Sequence, residues 1–209
     1  MARGRFITLE GGEGAGKSTQ VARLAEALRL RGLEVLTTRE PGGTANAEAV
    51  RALLVTGAAD RWDALGELFL LNAARRDHVR RVIAPALALG AWVISDRYVD
   101  STRIYQGAVK GLADGLIMQQ HHLATDGLMP DLTLVLDLDP VIGLARAAAR
   151  AGGEGRFESE DHAFHQRLRA GFQALAAAEP ERFRVIDASQ DPDTVALSVI
   201  RATAHALPS

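Results

Sequence analysis

The segment GGEGAGKS, Gly11 to Ser18, has residue types and spacing suited to holding phosphate. It fits G-x-x-x-x-G-K-[ST], the pattern of a phosphate-binding loop. Its glycines let the backbone close around phosphate oxygens. Its N–H groups converge at the start of a helix, where the dipole also favours an anion. The expected nucleotide contacts run through Gly11, Gly12, Glu13, Gly14, Ala15, Gly16, Lys17, Ser18 and Thr19. Lys17 is placed to reach the β- and γ-phosphates of a nucleoside triphosphate, and Ser18 to offer a hydroxyl to magnesium. A second element is WVISDRY. Asp96 ends an apolar run, where a carboxylate reaches magnesium directly or through water, and Arg97 can clamp a phosphate with its fork of donors.

These groups need a scaffold, and the patterning supplies one. RFITLE (5–10) reads as a strand, followed by a helix with Val21, Leu24, Ala25 and Leu28 at helical spacing and Gly32 as its stop. Further strands are expected at 33–38, 91–95, 131–138 and 183–188, with a long helical region at 63–89. Apolar strands alternating with helices predict an α/β fold, a parallel sheet flanked by helices on both faces. Residues 1–209 read as one domain. The Gly-, Ala- and Arg-rich stretch at about 143–160 reads as a mobile cover, or lid.

Composition narrows the classes. Hydrophobic residues are 47% of the chain and charged residues 24%, ordinary values for a globular domain. The net charge of -2 carries no global basic field, so nucleic acid is not an expected partner. There is no apolar run of the roughly 20 residues that span a bilayer. Cysteine is absent, which excludes disulfides and thiolate metal sites and suits a reducing cytoplasm. A phosphate-binding loop also serves GTPase switches and ATPase motors. Switches need N-K-x-D, which is missing here, and motors are usually longer. The short chain, the strand-end Asp-Arg and the late arginines suit a nucleotide kinase, whose chemistry is positioning and charge neutralisation.

The segments FITLEGGEGAGKST, TREPGGT, DRYVDSTRIYQG, PDLTLVLDLDP and GRFE together resemble the bacterial thymidylate kinases. The resemblance runs from about Arg5 to the last helix. It implies a five-stranded parallel sheet of the nucleoside-monophosphate-kinase type, and usually a homodimer. The implied reaction is transfer of the γ-phosphate of ATP to dTMP, with Mg2+. It places Glu13 near the sugar 3′-hydroxyl and the magnesium site with Ser18 and Asp96. It gives Arg97 and Arg51 the dTMP phosphate, with Arg39 helping in the same region. Arg75 matches an arginine that bonds the thymine edge, Thr102 a polar position on the base, and Tyr105 a tyrosine that favours deoxyribose. Some members carry an arginine in the loop where this chain has Gly14. Members without it use lid arginines, for which Arg146, Arg150 and Arg156 are available.

Two positions depart from the family pattern. Leu71 stands where a phenylalanine commonly stacks on thymine, and Phe69, about 200° away on the helix, is expected in the core. Ile104 stands where alanine is usual, with bulk expected against the sugar pocket. His121 and His122 are neighbours that face different ways on a helix, a poor chelate, and read as surface or interface residues. The competing readings are a kinase for another pyrimidine nucleotide or deoxynucleoside, and a silent nucleotide-binding module.

Overall fold

Five parallel strands lie in the order β2-β3-β1-β4-β5. The computed structural model describes residues 3–58, 60–149 and 160–207. The strands are β1 (Phe6–Glu10), β2 (Val35–Arg39), β3 (Trp92–Asp96), β4 (Leu132–Asp137) and β5 (Phe183–Asp187), each within two residues of its expected bounds. β1 is buried along its whole length, between β3 and β4. Its alternate polar residues, Thr8 and Glu10, are buried as well, so each must find a hydrogen-bond partner inside the protein.

Helices α1 (Lys17–Arg29) and α9 (Pro192–Ala206) cover one face. There Leu24 and Leu28 meet Ile7, Leu9, Val195 and Val199. The other face carries α3 (Ala64–His78), which runs through a π-helical turn, Val79–Ile83, into α4 (Ala84–Ala88). α2 (Ala45–Val55) packs on α3. Next to β3 come α5 (Val99–Thr102), a second π-helical segment, Arg103–Val109, and α6 (Asp114–Thr125). α7 (Pro140–Ala148) follows β4, and α8 (His162–Ala178) buries Phe164, Leu168 and Phe172.

Three expectations are corrected. Phe69 is 54% exposed, and Leu68 takes the core position instead. The side of α3 opposite the cleft is surface, because α3 belongs to the outer layer and its core side and cleft side nearly coincide. Ile104 points away from the sugar pocket into the cluster of Phe164 and Phe172, where Gly171 leaves room for it. His121 is 1% exposed, bonds the Leu128 carbonyl at 3.0 Å and meets the Tyr98 ring edge-on. Burial lowers its pKa to about 4, so it is a neutral core residue at pH 7. Residues 143–148 of the expected lid belong to α7, whose Gly143 and Ala147 are buried. Residues 150–159 lie outside the described residues.

Candidate functional site

The register of β1 and β3 pairs Leu9 with Asp96, so the two strand ends deliver the loop and the Asp-Arg side by side. Gly16, at φ 87°, ends the loop as the N-cap of α1. Lys17 folds back over the loop and donates from Nζ to the Gly12 carbonyl at 2.8 Å and the Gly11 carbonyl at 3.1 Å. Burial lowers its pKa, and nearby Arg97 adds to that, against the carboxylates of Glu13, Asp96 and Glu10. Ser18 Oγ donates to Asp96 Oδ2 at 2.7 Å. The two oxygen ligands expected for magnesium are therefore in contact.

Arg97 joins the loop to the neighbouring cleft. Its Nη1 donates to the Gly11 carbonyl at 3.1 Å and its Nη2 to Glu13 Oε1 at 2.8 Å. The Tyr105 hydroxyl donates to the same Glu13 oxygen at 3.0 Å, and the guanidinium lies 5.2 Å from the centre of the Tyr105 ring. Burial alone would push the Glu13 carboxyl up. Arg97, Lys17 and the Tyr105 hydroxyl outweigh it and hold the pKa at about 2.

The cleft beyond is lined by Glu13, Arg97 and Tyr105 at one end and by Leu71, Arg75 and Thr102 at the other. Arg51 lines it from α2 and donates to the Pro41 carbonyl at 2.6 Å. Arg75 is only 2% exposed. Its Nε donates to Glu40 Oε2 at 2.7 Å and its Nη2 to the Thr102 hydroxyl at 2.9 Å. Its Nη1 is buried with no hydrogen-bond partner among the described residues. Glu40 is held from its other oxygen by His78 Nδ1 at 3.0 Å, and His78 Nε2 contacts the Thr38 hydroxyl at 2.7 Å. Burial would raise the Glu40 pKa, yet Arg75 and His78 bring it below the usual value. Arg76, 40% exposed, pairs with Asp126 outside the cleft, as its angular offset from Arg75 requires.

The structure thus brings together Glu13, Lys17, Ser18, Asp96 and Arg97, and beside them Arg51, Leu71, Arg75, Thr102 and Tyr105. Arg39 is not among them: it lies outward at the end of β2 and pairs with Glu48 at 3.0 Å. Arg146 donates to the Ala188 carbonyl at 3.1 Å. It lines a groove on the far side of the loop with Thr19, Ser189 and Gln190. Arg150 and Arg156 lie outside the described residues. Sequence reasoning missed Glu40 and Ser101, which also line the cleft, and Ser189 and Gln190 of the groove. Glu40 was adjacent to a chosen arginine, and one step along a strand turns a side chain to the other face. The groove residues follow β5, where open α/β sheets place ligands, and that rule could have found them.

Known proteins match this architecture along nearly its whole length. The family model described as thymidylate kinase matches residues 9–199. A thymidylate kinase of Rhizorhabdus wittichii is 52% identical over 207 residues, 98% of this chain and 99% of that one. One from Caulobacter vibrioides is 54% identical, with 95% of each chain covered. The crystal structure of thymidylate kinase from Ehrlichia chaffeensis superposes with a TM-score of 0.77 at 37% identity, covering 96% of this chain and 98% of that one. The chain belongs to the thymidylate kinase family.

Proposed function

We propose that this chain transfers the γ-phosphate of ATP to dTMP, giving dTDP and ADP for dTTP synthesis. The observation that carries the reading is the pairing of a phosphate loop with a cleft that ends in Arg75. Its Nη1 is a buried donor without a partner among the described residues. An unpaired buried N–H costs free energy unless a ligand satisfies it. A carbonyl on the thymine edge is such a ligand. Leu71 offers the base an apolar surface, and Thr102 holds Arg75 in register. Glu13 is ionised at neutral pH and accepts from the Tyr105 hydroxyl, which suits a nearby sugar 3′-hydroxyl. The Tyr105 ring takes the space of a ribose 2′-hydroxyl.

In the reaction an oxygen of the dTMP phosphate attacks the γ-phosphorus, and the bond to the β–γ bridging oxygen breaks. The acceptor is already an anion, so no general base is required. The work is positioning and charge neutralisation. Arg97, between the two sites, turns from Glu13 to the acceptor phosphate, assisted by Arg51. Lys17 leaves the loop carbonyls for the β- and γ-phosphates. Ser18 and Asp96 present hard oxygen donors that fit Mg2+, with Glu13 near the same site. Bound there, Mg2+ would neutralise charge on the β- and γ-phosphates. Arg150 and Arg156, beyond the end of α7, are the arginines proposed to act on the phosphates, within a single domain spanning 1–209.

A second copy of the chain is the proposed partner. Leu65 and Phe69, one turn apart on α3, are 38% and 54% exposed and form an apolar face suited to a homodimer. The absence of cysteine supports a cytoplasmic setting. The test is ADP release with ATP and Mg2+ against dTMP, dUMP, UMP, dCMP and thymidine. The expected result is fastest turnover with dTMP. A different preferred acceptor would overturn the base assignment, and ATP binding without turnover on any acceptor would overturn the kinase reading.

A further inference from the structure

Arg97 sits in the left-handed region, at φ 70°. A non-glycine residue keeps that conformation only where its surroundings over-determine it. Its own peptide is bound on both sides: Arg97 N donates to the Leu9 carbonyl at 3.0 Å, and Ser95 Oγ donates to the Arg97 carbonyl at 2.7 Å. The chain after it is gripped by one carboxylate, Glu10, the last residue of β1 and fully buried. Glu10 Oε1 accepts from Tyr98 N at 2.8 Å and Ser101 N at 3.3 Å, and Oε2 accepts from Ser101 Oγ at 2.5 Å. Ser101 Oγ in turn accepts from Arg97 Nη1 at 3.1 Å. The hydroxyl has one proton, and Glu10 takes it. That leaves the oxygen lone pairs turned toward the guanidinium.

We propose that Glu10 is a positioning residue for Arg97, aiming its guanidinium at the acceptor phosphate through Tyr98 N and the Ser101 hydroxyl. Glu10 does not line the cleft. It acts on the backbone one residue past Arg97 and on the side chain through Ser101, so both ends of the arginine are referred to the centre of the sheet. The proposal rests on the reading of Arg97 as the arginine that holds the acceptor phosphate.

The groups facing Glu10 set the assay conditions. Burial and Asp100 push its carboxyl up to about 7, against Arg97, the Ser101 hydroxyl and the Tyr98 N–H, with Lys17 on the loop side. Asp100 is itself paired with Arg182 and Arg103. Kinetics at pH 8.5 therefore compare variants against the ionised form.

The experiment is steady-state kinetics of the full chain, with KM measured separately for dTMP and ATP. Glu10→Gln keeps the shape and an acceptor for Tyr98 N, but turns an N–H toward Ser101. The expected result is a rise of about tenfold in the KM for dTMP, with the KM for ATP within twofold. A merely structural role would shift both together. Ser101→Ala is expected to raise the dTMP KM similarly, and Ser101→Thr, which keeps the hydroxyl, to restore it. The Glu10→Gln/Ser101→Ala double variant is expected to be no worse than its worse parent, because both act along one path. Full additivity would overturn the proposal, as would a wild-type dTMP KM in Glu10→Gln while Arg97→Ala raises it. If Arg97→Ala leaves the dTMP KM unchanged, the reading of Arg97 itself falls. If Glu10→Gln does not fold, the Ser101 pair decides: equal dTMP KM values for Ala and Thr overturn the proposal.

Discussion

Three glycines of the phosphate loop make a graded experiment, because the fold demands something different of each. Gly14 has φ 67°, and a Cβ there would lie 1.9 Å from the Gly143 carbonyl oxygen. The approach is mutual: a Cβ on Gly143 would lie 2.3 Å from the Glu13 carbonyl oxygen. Loop and α7 thus touch backbone to backbone, and neither contact atom can swing aside. Gly14→Ala adds a left-handed penalty of roughly 1–2 kcal/mol and an overpacking cost of about 1–3 kcal/mol. In a chain of this size 1 kcal/mol moves Tm by about 2–4 °C, so the expected drop is about 4–20 °C. Gly16 has φ 87°, but its Cβ would meet nothing within 4 Å among the described residues, so Gly16→Ala should show only the first cost, about 2–8 °C. Gly12 has no positive φ, and a Cβ there would meet nothing within 4 Å among the described residues, so Gly12→Ala should melt within about 2 °C of wild type. Thermal unfolding without nucleotide reads all three. A Gly14→Ala variant that melts with Gly12→Ala would refute the argument. The same geometry explains why an arginine, found at this loop position in some thymidylate kinases, has no place here unless α7 moves.

Other outcomes follow from the charges. Lys17→Ala should lower turnover by about 10²–10³ through lost charge stabilisation. Its Tm should hold, since a buried ammonium with a lowered pKa is no asset to stability; near-normal turnover would remove Lys17 from the reaction. Arg75→Ala should raise the KM for dTMP and leave that for ATP nearly unchanged. It should also cost about 3–5 kcal/mol of stability, because Glu40 stays buried after losing its Arg75 partner and keeps only His78; denaturant unfolding and KM values check both parts. Glu13 has its folded pKa depressed from 4.5 to about 2. Its contribution is therefore complete above pH 4.5 and is lost as pH falls toward 2. It amounts to at most about 3 kcal/mol. Urea unfolding of wild type and Glu13→Gln between pH 5 and pH 2.5 should converge at the acid end. Parallel pH slopes would contradict the assignment.

The loop, the Asp-Arg and all five strands were legible because each is written in a short run of neighbouring residues. A strand buried on both faces is written mostly in apolar residues, with Thr8 and Glu10 of β1 paired inside, and a phosphate loop has few alternatives to glycine. Arg75 and Tyr105 were legible only through family resemblance, since one arginine among several on a helix carries no local mark. The partners that hold these residues were not legible. Glu40 reaches Arg75 across 35 positions and Glu10 reaches Ser101 across 91, and nothing local to either glutamate announces the other end. Phe69 shows the limit of angular reasoning. Its direction relative to Leu71 was right, but which side of α3 is buried depends on α2 and the sheet.

The order of the strands is what turns these separate pieces into one site. With β1 between β3 and β4, the loop after β1 has the Asp-Arg of β3 on one side and α7, following β4, on the other. Arg97 bonds the loop from the β3 side, and Gly143 presses on it from the α7 side. The cleft beyond Arg97 is reached through the first contact and α7 through the second. On the proposed reading, nucleotide entering the loop would act on both at once. A phosphate that draws Lys17 off the Gly11 and Gly12 carbonyls alters the same Gly11 carbonyl that Arg97 holds. Donor and acceptor sites share that oxygen. On the roles proposed for Lys17 and Arg97, occupancy of the donor site would bear directly on where Arg97 can point, with no larger motion of the sheet required.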